Sequence, residues 1–126
     1  MAKILIVDDD GDLRTLLGLC FLRCGHNIVV ASNGAAALAC LTFHAPDLLV
    51  TDVNMPVMDG LELLRQLRAN GQHNLPAIVL TARSDQRAAA IAAGADGFLV
   101  KPVPLRELVE VAELLIEQRR ALHAAR

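Results

Sequence analysis

Asp8, Asp9 and Asp10 stand together directly after an apolar run, Lys3 to Val7 (KILIV), and Asp52 ends another such run, Asp47 to Asp52 (DLLVTD). Two more runs end on single polar residues: Ala77 to Thr81 (AIVLT) closes on Thr81, and Gly97 to Val100 (GFLV) is followed by Lys101. Carboxylates brought into one pocket repel each other, and the repulsion must be offset by protonation or by a bound cation. Oxygen donors with no His or Cys beside them in the chain favour Mg2+ over Zn2+. Three carboxylates, the Lys101 ammonium and one divalent ion sum to neutrality, and such a site can receive a phosphoryl group. In that chemistry the metal and Lys101 take the developing oxygen charge, Thr81 hydrogen-bonds one oxygen, and an aspartate is the nucleophile. Asp52 fits the last role, because it sits alone at the end of a central run while Asp8 and Asp9 share one wall.

Each of these residues alone has a plainer role as a helix cap, a strand end or a solvated charge. What raises them above that is the set of elements that must carry them. The run Lys3 to Val7 is a strand covered on both faces. Asp12 is placed to cap a helix from about Leu13 to Cys24, with Leu13, Leu16, Leu17, Cys20 and Cys24 on one stripe and Gly25 as its stop. Asn27 to Ala31 is a second strand, followed by a turn at Ser32-Asn33-Gly34 and an Ala-rich helix to about Phe43. Asp47 to Asp52 is the third strand, and VNMPVMDG is a loop broken by Pro56 and Gly60. A short helix spans Leu61 to Ala69, a fourth strand Ala77 to Thr81, and a fourth helix Asp85 to Ala93. The fifth strand, Gly97 to Val100, leads to a last helix from Leu105 to about Leu122 with Leu105, Leu108, Val109, Ala112, Leu115 and Ile116 on its packing face. Five strands alternating with five helices predict an α/β fold, a doubly wound parallel sheet whose ligand lies beyond the carboxyl ends of its strands.

Composition bounds the remaining classes. The 126 residues suffice for one domain, and residues 1–126 are expected to be a single unit with no output domain in this chain. Hydrophobic residues make up 54%, which excludes disorder as the main state. Twelve Lys or Arg against fourteen Asp or Glu give a formal charge of -2, and there is no Trp or Tyr, so direct nucleic-acid binding is not expected. No apolar stretch reaches a bilayer span and the start, MAKILIVDDD, reads as no cleavable signal, which predicts a cytoplasmic protein that does not enter membranes. Cys20, Cys24 and Cys40 form no CxxC and are expected as buried thiols filling the core.

Taken in order, DDD at Asp8 to Asp10, D-x-N-M-P-x-M-D-G from Asp52 to Gly60, T-A at Thr81-Ala82, G-A-D from Gly94 to Asp96 and K-P at Lys101-Pro102 resemble the receiver domain of bacterial two-component response regulators. The resemblance runs from Lys3 to about Leu122. It implies the strand order 2-1-3-4-5, phosphorylation of Asp52, a Mg2+ site made by Asp8, Asp9, Asp52 and the Asn54 backbone carbonyl, and phosphoryl sensing by Thr81 and Lys101. Phe98 then matches the switch aromatic that turns inward as the threonine moves. The resemblance also implies a phosphodonor, a histidine kinase or histidine phosphotransfer protein; Leu19 and Leu22, which project away from the packing stripe of the first helix, either meet another element, are singly exposed, or help dock that donor. A homodimer or a downstream output protein would read the switched surface. A receiver of this kind is not a dedicated enzyme, although it catalyses its own aspartyl phosphorylation and autodephosphorylation. Val103 departs from the pattern, standing where relatives commonly carry Phe.

Other readings fit less well. Asp8-Asp9-Asp10-Gly11 imitates the D-x-D-G of haloacid dehalogenase phosphohydrolases, but Asp12 stands where Thr or Val would follow and no later acidic pair completes the metal site. Asp8, Asp10 and Asp12 begin a calcium loop that lacks its Gly and its closing Glu. A flavin phosphate would be repelled by DDDGD, and no GxxxxGK[ST] is present. A receiver reduced to a pure interaction module would have lost Asp52, Thr81 or Lys101, and all three are here.

Overall fold

The structure, a computed structural model, describes residues 1–124. Five strands, β1 (Lys3–Val7), β2 (Asn27–Ala31), β3 (Leu48–Asp52), β4 (Ala77–Thr81) and β5 (Gly97–Val100), form one parallel sheet in the order β2-β1-β3-β4-β5. Between them run α1 (Gly11–Arg23), α2 (Gly34–Cys40), α3 (Gly60–Ala69) and α4 (Arg87–Ala93), and α5 (Leu105–Ala124) closes the fold. The expected doubly wound sheet, its order and its five helices are therefore present.

Alternation along the strands divides the core in two. Ile4, Ile6, Leu48, Val50, Ile78, Leu80 and Leu99 pack with Leu17 and Phe21 of α1 and Leu108, Ala112 and Ile116 of α5. Leu5, Val7, Leu49, Ala77 and Val79 face the other way, onto Ala37, Leu63, Leu64, Leu67, Ala90 and Ala93 of α2, α3 and α4. Every residue of β3 and β4 is buried, as the β-branched and Leu-rich runs require of strands covered on both faces. Register then aligns the polar ends: Val7 pairs with Thr51, Asp52 with Leu80, and Thr81 with Val100. At these pairs or one residue beyond them, Asp8, Asp52, Thr81 and Lys101 line the carboxyl edge of the sheet.

Several sequence expectations are corrected. The cap of α1 is Asp10, whose side chain accepts from the N–H groups of Asp12 and Leu13 at 3.0 and 3.2 Å, so the helix begins earlier than Leu13 and Asp12 is an exposed first-turn residue. Its buried stripe is Leu17, Gly18 and Phe21, with Leu13 half-buried, while Leu16 and Cys24 lie in solvent. Leucines surround this helix, and the stripe is decided by Phe21, which has the most surface to bury. None of the cysteines is fully buried: Cys20 and Cys40 are half-buried and Cys24 is exposed.

Helix α2 ends at Cys40 and not near Phe43, because Thr42 N–H and Phe43 N–H bond three residues back and the Thr42 hydroxyl donates to the Ala39 carbonyl at 2.6 Å. Asp47 lies just before β3, where its carboxylate accepts the Lys3 N–H at 2.8 Å. The segment from Asp85 divides into a 3-10 turn, Ser84–Gln86, and then α4.

Gly60 matters for a reason that periodicity does not show. A Cβ there would stand 1.9 Å from the Asp52 carbonyl oxygen, so α3 can start against the end of β3 only without a side chain. Gly71, by contrast, has φ of +86 and open space around it. Gly60→Ala should cost well over about 2 kcal/mol, as a forced backbone shift does, and Gly71→Ala about 1 kcal/mol from its left-handed φ. Urea unfolding midpoints at equal m-values check the order; two equal losses would contradict the close approach.

Candidate functional site

The edge residues come together as the strand ends require. Carboxylate oxygens of Asp8, Asp9 and Asp52 lie within 4.8 Å of one another, with Asp8 and Asp52 buried and Asp9 exposed. Lys101 Nζ sits between the two buried carboxylates, 3.3 Å from Asp8 Oδ2 and 3.3 Å from Asp52 Oδ1. The other anchors are local: Asp52 Oδ1 accepts the Val53 N–H at 2.8 Å, and Asp8 Oδ1 accepts the Asp10 N–H at 2.9 Å. The peptide bond between Lys101 and Pro102 is cis.

Burial raises the pKa of Asp52 above the ordinary carboxylate value, and the neighbouring Asp8 charge raises it further; Lys101 and the Val53 N–H oppose both without cancelling them. For Lys101 the order of effects is different. Desolvation alone would lower its pKa, but the attraction of Asp52 and Asp8 and the hydrogen bonds to them outweigh it and leave the ammonium held more firmly. One ammonium thus faces three acids, and the excess of negative charge is what a hard cation would relieve. The donor set, two buried carboxylates and one exposed carboxylate at the carboxyl edge of the sheet, fits Mg2+.

Thr81 is fully buried on the α4 side of the sheet. Its hydroxyl donates to Gln86 Oε1 and accepts the Arg83 N–H at 3.1 Å. Phe98, opposite Val79 in the register, is half-buried on the same face, with the Arg87 guanidinium 5.7 Å from its ring centre. Asn54 is exposed in the loop after β3. That loop is tight: Val57 has φ of 72, rare for a β-branched residue, and Met58 N–H donates to the Pro56 carbonyl at 2.8 Å. Met55 and Met58 pack into the core. Leu19 and Leu22 lie on α1, 52% and 47% exposed, joined by Leu16 at 48%.

Sequence reasoning assigned no role to three residues of this neighbourhood. Arg14 donates to the Asp8 carbonyl at 2.6 Å, Asp59 caps α3 by accepting the Glu62 N–H at 2.8 Å, and Gln86 holds Thr81. The D-x-x-E spacing from Asp59 to Glu62 is a helix-start signal that would have found the second. Nothing in the spacing of Arg14 or Gln86 marks them.

A family model for the response regulator receiver domain matches residues 4–113. The chain belongs to that family. It is 42% identical over 119 residues to the transcriptional regulatory protein PrrA of Mycobacterium tuberculosis, covering 93% of this chain and 51% of that protein. The chain therefore spans about half the length of the curated relatives it matches. Among solved structures, the receiver domain of the Francisella response regulator 1452 superposes with a TM-score of 0.88 at 30% identity, over 94% of this chain and 98% of that one. The response regulator protein TrrA from Thermotoga maritima, in complex with Mg(2+)-BeF, gives 0.84 at 34% identity, over 91% and 99%. As a receiver, the chain is a phosphoaccepting, aspartate-based signalling domain and not a dedicated enzyme. Among the described residues, no helix is long and apolar enough to cross a membrane.

Because the pKa of Asp52 is raised on folding, its carboxyl favours the folded state while protonated, below the unfolded value near about 4, and loses that contribution as pH rises through the folded value. Asp52→Asn, neutral throughout, should therefore melt higher than the parent protein at pH 7, with the gap closing as both are acidified. Added Mg2+ should raise the parent's melting point and not the variant's to the same extent. Thermal unfolding with and without the metal checks both; a variant less stable at pH 7 would refute the charge argument.

Proposed function

We propose that Asp52 accepts a phosphoryl group from the phosphohistidine of a histidine kinase or histidine phosphotransfer protein in a Mg2+-dependent reaction. The observation that carries this is the Lys101 ammonium held at 3.3 Å from both Asp8 and Asp52, inside a three-carboxylate cluster. In the transfer, an Asp52 oxygen forms the new O–P bond as the donor's N–P bond breaks, and the departing imidazole nitrogen keeps the electron pair. Asp8, Asp9, Asp52 and the Asn54 carbonyl would hold Mg2+, which when bound would supply charge neutralisation at the phosphoryl oxygens. Lys101 is already desolvated beside the nucleophile and needs to travel little to meet the new charge. Thr81, one hydroxyl away on the next strand, senses the phosphoryl group, and Phe98 fills the space that Thr81 leaves.

The exposed Leu16, Leu19 and Leu22 of α1 offer an apolar face for the donor protein. Residues 1–126 act as one receiver unit in the cytoplasm, and a second copy or a downstream output protein reads the surface made by α4, β5 and α5.

With acetyl phosphate and Mg2+, the protein should gain one acid-stable, base-labile phosphoryl group, lost in Asp52→Asn and on chelation of the metal. Intact mass and site mapping read it; label on Asp8 or Asp10 would overturn the assignment. Leu19→Asp should slow transfer from a phosphorylated kinase by about tenfold, the order expected for one interface anchor, and leave acetyl phosphate labelling unchanged. Equal loss with both donors would place the damage in the pocket instead.

A further inference from the structure

Helix α4 is fixed very differently at its two ends. Its C-terminal end is pinned by Arg68, which donates to the Gly94 carbonyl at 2.8 and 3.3 Å and also reaches the Leu75 carbonyl and the Asp96 carboxylate. Asp96 in turn accepts the Ala77 N–H at 2.9 Å, so this end is tied to α3, β4 and the start of β5. The N-terminal end has nothing comparable. No residue from Ala82 to Ala89 is buried, and the helix start has no side-chain cap. Two consecutive side chains hold it to the sheet: Gln86, accepting from the Thr81 hydroxyl, and Arg87, whose guanidinium lies 5.7 Å from the Phe98 ring centre.

We infer that Gln86 and Arg87 form a two-point latch that holds the receiver in its unphosphorylated arrangement. The inference rests on the reading of Thr81 and Phe98 as the switch pair. A threonine hydroxyl carries one proton, and here it is committed to Gln86. Thr81 can donate to a phosphoryl oxygen only after giving up that bond, and the loss frees the start of α4. The adjacent contact has the same logic, since Phe98 can turn inward only by leaving the Arg87 guanidinium. Gln86 and Arg87 are thus positioning residues, acting through Thr81 and Phe98 without touching the phosphoryl group. Pinned at Gly94 and released at Gln86, α4 would swing about its C-terminal end.

The test uses Gln86→Leu, which keeps bulk and removes the acceptor, and Arg87→Ala at an exposed position. In each unphosphorylated variant, the Thr81 methyl and Phe98 ring resonances should move along the line that joins free and beryllofluoride-loaded parent protein. Acetyl phosphate labelling of Asp52 should quicken by about fivefold in Gln86→Leu, the population shift expected from losing one neutral hydrogen bond. In a Thr81→Val background the same Gln86 change should have no effect on labelling, because the bond is already gone.

A merely structural role would lower the melting point of both variants and leave resonances and labelling where they were, and that result overturns the latch. If the parent's residues 84 to 101 respond to beryllofluoride while neither variant moves toward the loaded position, the latch is wrong and the switch reading stands. If the parent's residues do not respond at all, the switch reading fails and takes the latch with it.

Discussion

The arrangement depends on two buried carboxylates sharing one ammonium. Asp8 and Asp52 lie on adjacent strands, and removing both from water is costly unless a cation sits between them. Lys101 comes from β5, with β4 between it and Asp52. Two strand spacings are roughly 10 Å, about what an extended lysine and an aspartate can bridge together. A long, flexible cation at the end of β5 therefore ties the sheet edge to its centre, and β4 between them ends on the buried Thr81. The sheet order and the register bring those ends level.

The same charges explain why the site remains unsatisfied. Burial first and the Asp8 charge next raise the pKa of Asp52, and the cluster sets three acids against one ammonium. A structure selected for stability alone would place an apolar side chain there, since replacing a buried ionic group by a packed one is often neutral or better. Keeping the acids is intelligible as preparation for a cation and a phosphoryl group. The close approach of Gly60 to the Asp52 carbonyl has the same character, since it fixes the backbone at Asp52 at the expense of chain freedom.

Much of this was legible in the sequence because the signal was positional. Four of the five short apolar runs lead at their carboxyl ends into a polar residue of the site, so the same pattern that defines the strands also groups Asp8, Asp52, Thr81 and Lys101. Helix α1 shows where the reading stops. Leucines at 13, 16, 17, 19 and 22 give two competing stripes, and the choice was made by Phe21 and by Gly18, whose missing side chain lets Ile28 approach. The α1 cap was similarly ambiguous: Asp10 and Asp12 are both acceptable chemically, and only the point at which the chain leaves β1 decides for Asp10. Gln86 was illegible for a different reason. Its bond to Thr81 spans a 3-10 turn, and no periodicity places such a side chain.

Magnitude decides whether the start of α4 can work as a switch. A neutral hydrogen bond contributes about 1 kcal/mol and an exposed cation–π contact about 0.5 to 1 kcal/mol, so Gln86 and Arg87 together hold that end by about 2 kcal/mol. The Ala-rich N-terminal half of α4 adds little, because nothing from Ala82 to Ala89 is buried. Esterified Asp52 would carry a charge nearer two than one, and a hydrogen bond to such a group contributes about 1.5 to 3 kcal/mol. The two sums are comparable, which is the condition for a bistable element. A tighter latch would keep Thr81 from the phosphoryl group, and a looser one would let α4 open with no signal.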